Sequence, residues 1–296
     1  MKRTLLLCLG LTTLGLTTAV AVLAPAKASS RIVYGAAAPR AAAEVSSNWS
    51  GYVATGLGST STTASPSTQF RNATATWKVP KATCTATGSA SASAVWVGLG
   101  GYSTSSTALE QTGTSSDCSA EGVPSYYAWW EIVPDPSVKI NLKLLPGDVV
   151  TGSVVVNGTD VLMQIKNRTR KTVFTKRVTF PSPDLTSAEW IAEAPSECAA
   201  NGFCRQIPLA NFGSVTFTKI AALATIDGLG NQGGTLTSTL WQSTPIQLVP
   251  QRARRFYGDV IERPDATTGT AGAAPYGLAA DGASFSVAWV SNPTSG

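Results

Sequence analysis

Between residues 125 and 133 the side chains sort into two faces with a period of two. Tyr126, Ala128, Trp130 and Ile132 form one face, wholly apolar. Tyr127, Trp129 and Glu131 form the other, two aromatic rings beside a carboxylate. Successive side chains of a strand point to opposite sides, so the first face predicts core and the second a surface that carries chemistry. Residues 188–193 repeat the arrangement: Glu189, Ile191 and Glu193 lie opposite Trp190. Near the end, Phe285, Val287 and Trp289 alternate with Ser284, Ser286 and Ala288, which predicts a last strand. From Ser46 onward, short runs rich in Val, Thr, Trp, Tyr and Phe are separated by Gly, Ser, Pro and Asn clusters. No window keeps a helical period and no repeat is visible. This texture predicts an all-β sandwich or barrel, with residues 46–296 as a single domain. The Gly/Ala-rich residues 265–282 are expected to be a long loop.

The amino end is different. Met1-Lys2-Arg3, an apolar stretch to Leu23 and Ala26-Lys27-Ala28 make the three parts of a secretory signal peptide, residues 1–28, with cleavage before Ser29. Residues 29–45 read as a linker or short propeptide. Secretion is therefore expected, with no membrane association once the signal is cleaved. Outside the signal stand Cys84, Cys118, Cys198 and Cys204, an even set suited to an oxidising compartment. Cys198 and Cys204 flank a turn-rich loop and are expected to pair, leaving Cys84–Cys118. No Cys-x-x-Cys hook exists, so no metal site is expected.

Charge and composition narrow the chemistry. The net charge of +5 and pI near 9.0 suggest nucleic acid, but signal cleavage removes Lys2, Arg3 and Lys27 and leaves +2. The local basic features, Arg252-x-Arg254-Arg255 and residues 166–171, have no recognition motif with them, so no nucleic-acid partner is expected. The sequence contains no histidine, which excludes Ser–His–Asp and Cys–His nucleophiles and His-ligated zinc. Nothing points to a cofactor. Asn-x-Ser/Thr sequons begin at Asn48, Asn72, Asn157 and Asn167. By spacing alone, Glu131 and Glu193 fit a solvated rim as well as a catalytic site.

The order of short motifs decides between those two readings. Asn48-Trp49-Ser50-Gly51-Tyr52 is followed by Ala75-Thr76-Trp77-Lys78-Val79-Pro80 and then by Val95-Trp96-Val97-Gly98-Leu99-Gly100-Gly101. Next come Gln111-Thr112-Gly113, Tyr127-Ala128-Trp129-Trp130-Glu131 and Pro146-Gly147-Asp148. Ala188-Glu189-Trp190-Ile191-Ala192-Glu193-Ala194-Pro195 and the Cys198–Cys204 loop complete the series. This series resembles the glutamic peptidases (eqolisins), here of a bacterial, secreted type. The resemblance implies two large antiparallel sheets packed as a bent, lectin-like (concanavalin-like) sandwich. It implies acid endopeptidase activity on polypeptide substrates, by a Gln/Glu dyad that motif position assigns to Gln111 and Glu193. Trp49, Trp96, Trp129 and Glu131 match residues that line or support the groove. A monomer is expected.

In that chemistry Glu193 takes a proton from an attacking water and returns it to the leaving amine, while Gln111 holds the water and stabilises the oxyanion. A glutamate with an ordinary pKa of about 4 stays partly ionised in acid, so an acid optimum is expected. This sequence departs from the fungal pattern at Gly100 and Tyr127, each in place of Asp, at Val133 in place of Tyr, and at Glu110 in place of Leu. The rival readings are a glycosidase using Glu131 and Glu193 as paired carboxylates, and a carbohydrate-binding sandwich with Trp49, Trp96 and Trp129 as platforms.

Overall fold

A computed structural model describes residues 31–33, 45–59, 67–198, 204–249 and 271–291. The expected signal peptide and the Arg252–Arg255 cluster lie outside the described residues. The strands, in chain order, are β1 (Arg31–Val33), β2 (Val45–Ser46), β3 (Trp49–Gly56), β4 (Thr68–Lys78), β5 (Ala94–Gly100), β6 (Leu109–Cys118) and β7 (Pro124–Val133). They continue with β8 (Val138–Ile140), β9 (Val149–Asn157), β10 (Asp160–Asn167), β11 (Thr172–Thr179), β12 (Ser187–Glu193), β13 (Ser196–Cys198) and β14 (Cys204–Gln206). The last are β15 (Ser214–Ile226), β16 (Gly230–Gly234), β17 (Trp241–Leu248), β18 (Ala271–Tyr276) and β19 (Ser284–Ser291). The fold is all-β, as the alternation predicts.

The two expected sheets are one continuous ladder folded over on itself. One layer runs β11-β10-β9-β4-β15-β19-β18, and β17 carries the ladder on into β3-β12-β5-β6-β7-β8. All of these pairings are antiparallel; β2 pairs parallel with β17. A small sheet, β1-β13-β14, stands apart. Two segments differ from the sequence reading. Residues 271–276, expected to be loop, form β18 against β19; their Ala and Gly content carries little strand propensity, and pairing with a strong neighbour supplies the order. Within the expected linker, Arg31–Val33 pairs antiparallel with Ser196–Cys198.

Burial patterns show which layer has work on both sides. β9 and β10 alternate between buried and half-buried positions, as strands with one solvated face do. β5 and β12 are buried at every position. Their inner face joins the main core with Trp77, Trp190, Val97 and Val154. Buried indole N–H groups require partners, and here these tie the layers together. Trp77 Nε1 donates to Thr114 Oγ1 at 3.0 Å, and Trp190 Nε1 donates to the Thr74 carbonyl at 2.9 Å. The outer face of the β3–β12–β5–β6–β7 layer holds a second apolar cluster, Trp49, Val53, Trp96, Tyr102, Leu109, Trp129 and Ile191 among its members.

Both expected disulfides are present, Cys84–Cys118 and Cys198–Cys204. The Lys166–Lys171 run lies where β10 ends, on solvated turn and strand. Lys166, Arg168 and Lys171 border a surface cavity of about 430 Å³, while Arg170 pairs with Asp148. Two sequons are structural. Asn48 and Asn167 are buried, and their side-chain amides donate to Glu193 and Asp148. Asn157, at the β9–β10 turn, is exposed. Expression in a glycosylating host should therefore leave Asn48 and Asn167 bare and place glycan on Asn157, as glycopeptide mass spectrometry would read.

Candidate active site

Strand register brings the sequence-predicted residues onto one surface. Cross-strand partners Glu189, Gly98, Gln111 and Glu131 form one row over β12, β5, β6 and β7. Two residues along, Ile191, Trp96, Gly113 and Trp129 form the next row. Trp49, Glu193, Ala94 and Ser115 form the third, with Trp49 on β3. Because side chains alternate, all three rows project from the outer face. Trp96 and Trp129 thus occupy the band between the Gln111 row and the Glu193 row. Glu131 and Glu193 are not solvated rim residues: Gln111, Glu131 and Glu193 are each 0% exposed.

Glu193 is gripped at both oxygens. Trp96 Nε1 donates to Oε2 at 2.7 Å, and Asn48 Nδ2 donates to Oε1 at 3.1 Å. The Asn48 amide is oriented by the Ser46 hydroxyl, which donates to its Oδ1 at 3.0 Å, so the nitrogen faces the carboxylate. Ala194 N also donates to the Asn48 carbonyl at 2.9 Å, fixing the start of β3 beside the end of β12. Asn48, which the sequence offers only as part of a motif, is brought to Glu193 by the pairing of β3 with β12.

Gln111 lies within β6. Its Nε2 donates to Glu131 Oε2 at 2.7 Å, so Glu131 orients the amide. Gly113 is glycine for packing: a Cβ there would sit 2.5 Å from the Val95 carbonyl and 2.9 Å from the Trp129 ring. The missing side chain lets Trp96 and Trp129 close over β6. Gly113→Ala is expected to cost about 1–3 kcal/mol in stability by overpacking, read from urea unfolding. It should also weaken activity, since the indole that holds Glu193 must shift. Trp49 meets Trp96 edge to face, ring centroids 5.1 Å apart. Tyr127 lies under the Lys139 ammonium at 4.4 Å, a cation–π contact.

Two further carboxyls are buried in the strands that carry the site. Glu189 shares the outer face with Glu193, and Glu110 precedes Gln111; both are 0% exposed. Burial pushes Glu110 up to about 8, with the nearby Asp184 charge adding to it. Burial likewise raises Glu189 well above the ordinary carboxylate range, against the Ser187 hydroxyl and with Asp184 and Glu110 assisting. Both side chains are therefore neutral acids in acidic solution. Among the described residues no group of His, Cys, Asp and Glu side chains could hold a metal ion, and no helix is long and apolar enough to cross a membrane.

Residues 47–249 match the sequence profile of the Peptidase A4 family. Aspergillopepsin-2 of Aspergillus niger is 30% identical over 224 residues, which cover 66% of this chain and 74% of that protein. The crystal structure of scytalido-glutamic peptidase with a transition-state analog inhibitor superposes with a TM-score of 0.59 at 26% identity, covering 82% of this chain and 98% of that one. SCP-B, a member of the eqolisin family solved with the tripeptide Ala-Ile-His, gives a TM-score of 0.55 at 25% identity, with the same coverage of both chains.

Proposed function

The chain belongs to the Peptidase A4 family and is a glutamic-type endopeptidase, and from that premise we propose that Glu193 and Gln111 are its catalytic dyad in a secreted enzyme working in acid. Ionised Glu193 takes a proton from a water as the oxygen attacks the scissile carbonyl carbon. The protonated group then delivers that proton to the leaving nitrogen as the C–N bond breaks. The amide nitrogen of Gln111 carries two hydrogens. One is directed at Glu131, and the other is assigned to the oxygen that gains negative charge. An amide does this without titrating, so it serves across the acid range.

The observation that carries this reading is the grip on Glu193. The donors Trp96 and Asn48 hold the carboxylate in one rotamer on the same buried face as Gln111. A base held in one place costs little reorganisation in the transition state. Trp49, Trp96 and Trp129 are assigned to an extended peptide, by apolar contact and exclusion of water. The rival use of Glu131 and Glu193 as paired carboxylates fits less well, because Glu131 is committed to orienting Gln111. The two disulfides suit secretion, and the chain is expected to act as a monomer on residues 46–296, after loss of residues 1–28.

The test is a cleavage assay on an unfolded protein from about pH 2 to pH 7, the range over which a carboxylate base titrates. Internal cuts, strongest in acid and resistant to pepstatin, are expected. No cleavage by the fully matured wild type at any pH would overturn the reading.

A further inference from the structure

We infer that Asp184 is a positioning residue for the Gln111–Glu193 pair, latching the loop that enters the Gln111 strand onto the head of the Glu193 strand. The inference rests on the dyad reading above. Asp184 stands three residues before β12, and its neighbour Leu185 is fixed by Phe70 N of β4, which donates to the Leu185 carbonyl at 2.8 Å. Its carboxylate reaches across to residues 101–108, the connection between β5 and β6. Oδ2 accepts from Gly101 N at 3.3 Å and from the Ser106 hydroxyl; Oδ1 accepts from Thr186 N at 2.9 Å. Ser106 in turn accepts from Gly101 N at 3.0 Å, so one carboxylate and one hydroxyl close the loop on itself.

The backbone is shaped to admit this group. Gly100 has φ +82°, and a Cβ on it would lie 2.5 Å from the Asp184 Cβ and 2.7 Å from its carbonyl oxygen. The space a side chain on Gly100 would take is filled by Asp184 from the lead-in to β12. The loop it closes carries Tyr102 and delivers Leu109, both packed in the outer-face cluster. Leu109 projects from the same face of β6 as Gln111, one position of the alternation away. A shift of the latch therefore moves Leu109 and, with it, the register of the Gln111 amide relative to Glu193. Around Asp184, hydroxyl groups of Ser103, Ser105 and Thr107 border a small cleft of about 220 Å³.

The experiment compares Asp184→Asn, Ser106→Ala and the double variant on an internally quenched peptide in acid, with thermal unfolding of each. Misplacing a reacting group is expected to lower kcat of Asp184→Asn by about tenfold or more, with KM within about twofold. Ser106→Ala should show a smaller loss of the same kind. Because both act through one latch, the double variant should fall no further than Asp184→Asn, within about twofold. A kcat near wild type in Asp184→Asn, a loss confined to KM, or losses that multiply in the double variant would each overturn the assignment. If Asp184→Asn does not fold, an unchanged kcat in Ser106→Ala overturns it and a reduced one supports it. Glu193→Gln runs in parallel. An inactive wild type sinks the dyad reading and this one with it; an active wild type, a dead Glu193→Gln and an unaffected Asp184→Asn sink only the latch.

Discussion

Glu193→Gln is expected to lower kcat for peptide cleavage by about a thousandfold or more, within the range for removing a single acid–base group and toward its upper end. Size and shape are kept, so the loss reports chemistry. A glutamine cannot take a proton from water at any working pH. It also presents an NH₂ toward Trp96 Nε1 and Asn48 Nδ2, which are both donors. One of them must then turn away or lose its acceptor, at about 1–3 kcal/mol for a buried group. The variant should therefore be inactive and somewhat less stable, which thermal unfolding would separate from misfolding. Asn48→Ala removes one donor and leaves the base, so its activity should fall well short of that loss.

The second large effect is on stability against pH. Glu110 is neutral in the folded chain up to about pH 8, against an ordinary value of 4.5. Glu189 is raised in the same direction. Above about pH 4.5 the unfolded chain releases these protons while the folded chain keeps them, so folding loses ground as pH rises. The contribution is fully present below the unfolded value and is lost progressively until the folded value is passed. For Glu110 alone this amounts to roughly 4–5 kcal/mol between pH 4.5 and 8, a large share of a typical domain's stability. The enzyme should be most stable in acid and unfold near or above neutrality. Glu110→Gln should flatten that decline. Asp148 acts oppositely. Although burial raises it, bonds from Arg170, Asn167 and Leu145 N hold it below the usual range, so its contribution is lost as pH falls below about 4. Urea unfolding at steps from pH 3 to pH 8 would read both.

Much of this was legible in the residues themselves. The faces of β7 and β12 came directly from alternation, because a strand must put Trp129 and Glu131 on one side and Trp130 and Ile132 on the other. Gln111 was legible only through its motif; an isolated Gln in a Thr/Ser-rich strand carries no physical signal. Register was not legible, since no local feature says that Gly98 stands between Glu189 and Gln111, or that Asn48 reaches Glu193 across 145 positions of sequence. The continuity of the two layers through β17 was hidden for the same reason. Asp184 lies in a Ser/Pro-rich stretch that reads as a plain turn, and only its bonds to the β5–β6 connection and its fit against Gly100 give it a role.

The central claim is that Gln111 and Glu193 act as one unit. The most direct measurement is kcat in acid for Gln111→Ala, Glu193→Gln and the double variant, each confirmed as folded. Groups that serve one transition state are not additive. The double variant is predicted to be no slower than Glu193→Gln within a few-fold, with Gln111→Ala already reduced by about a hundredfold or more. A Gln111→Ala enzyme that keeps wild-type kcat, or a double variant whose loss is the product of the two single losses, would contradict the account.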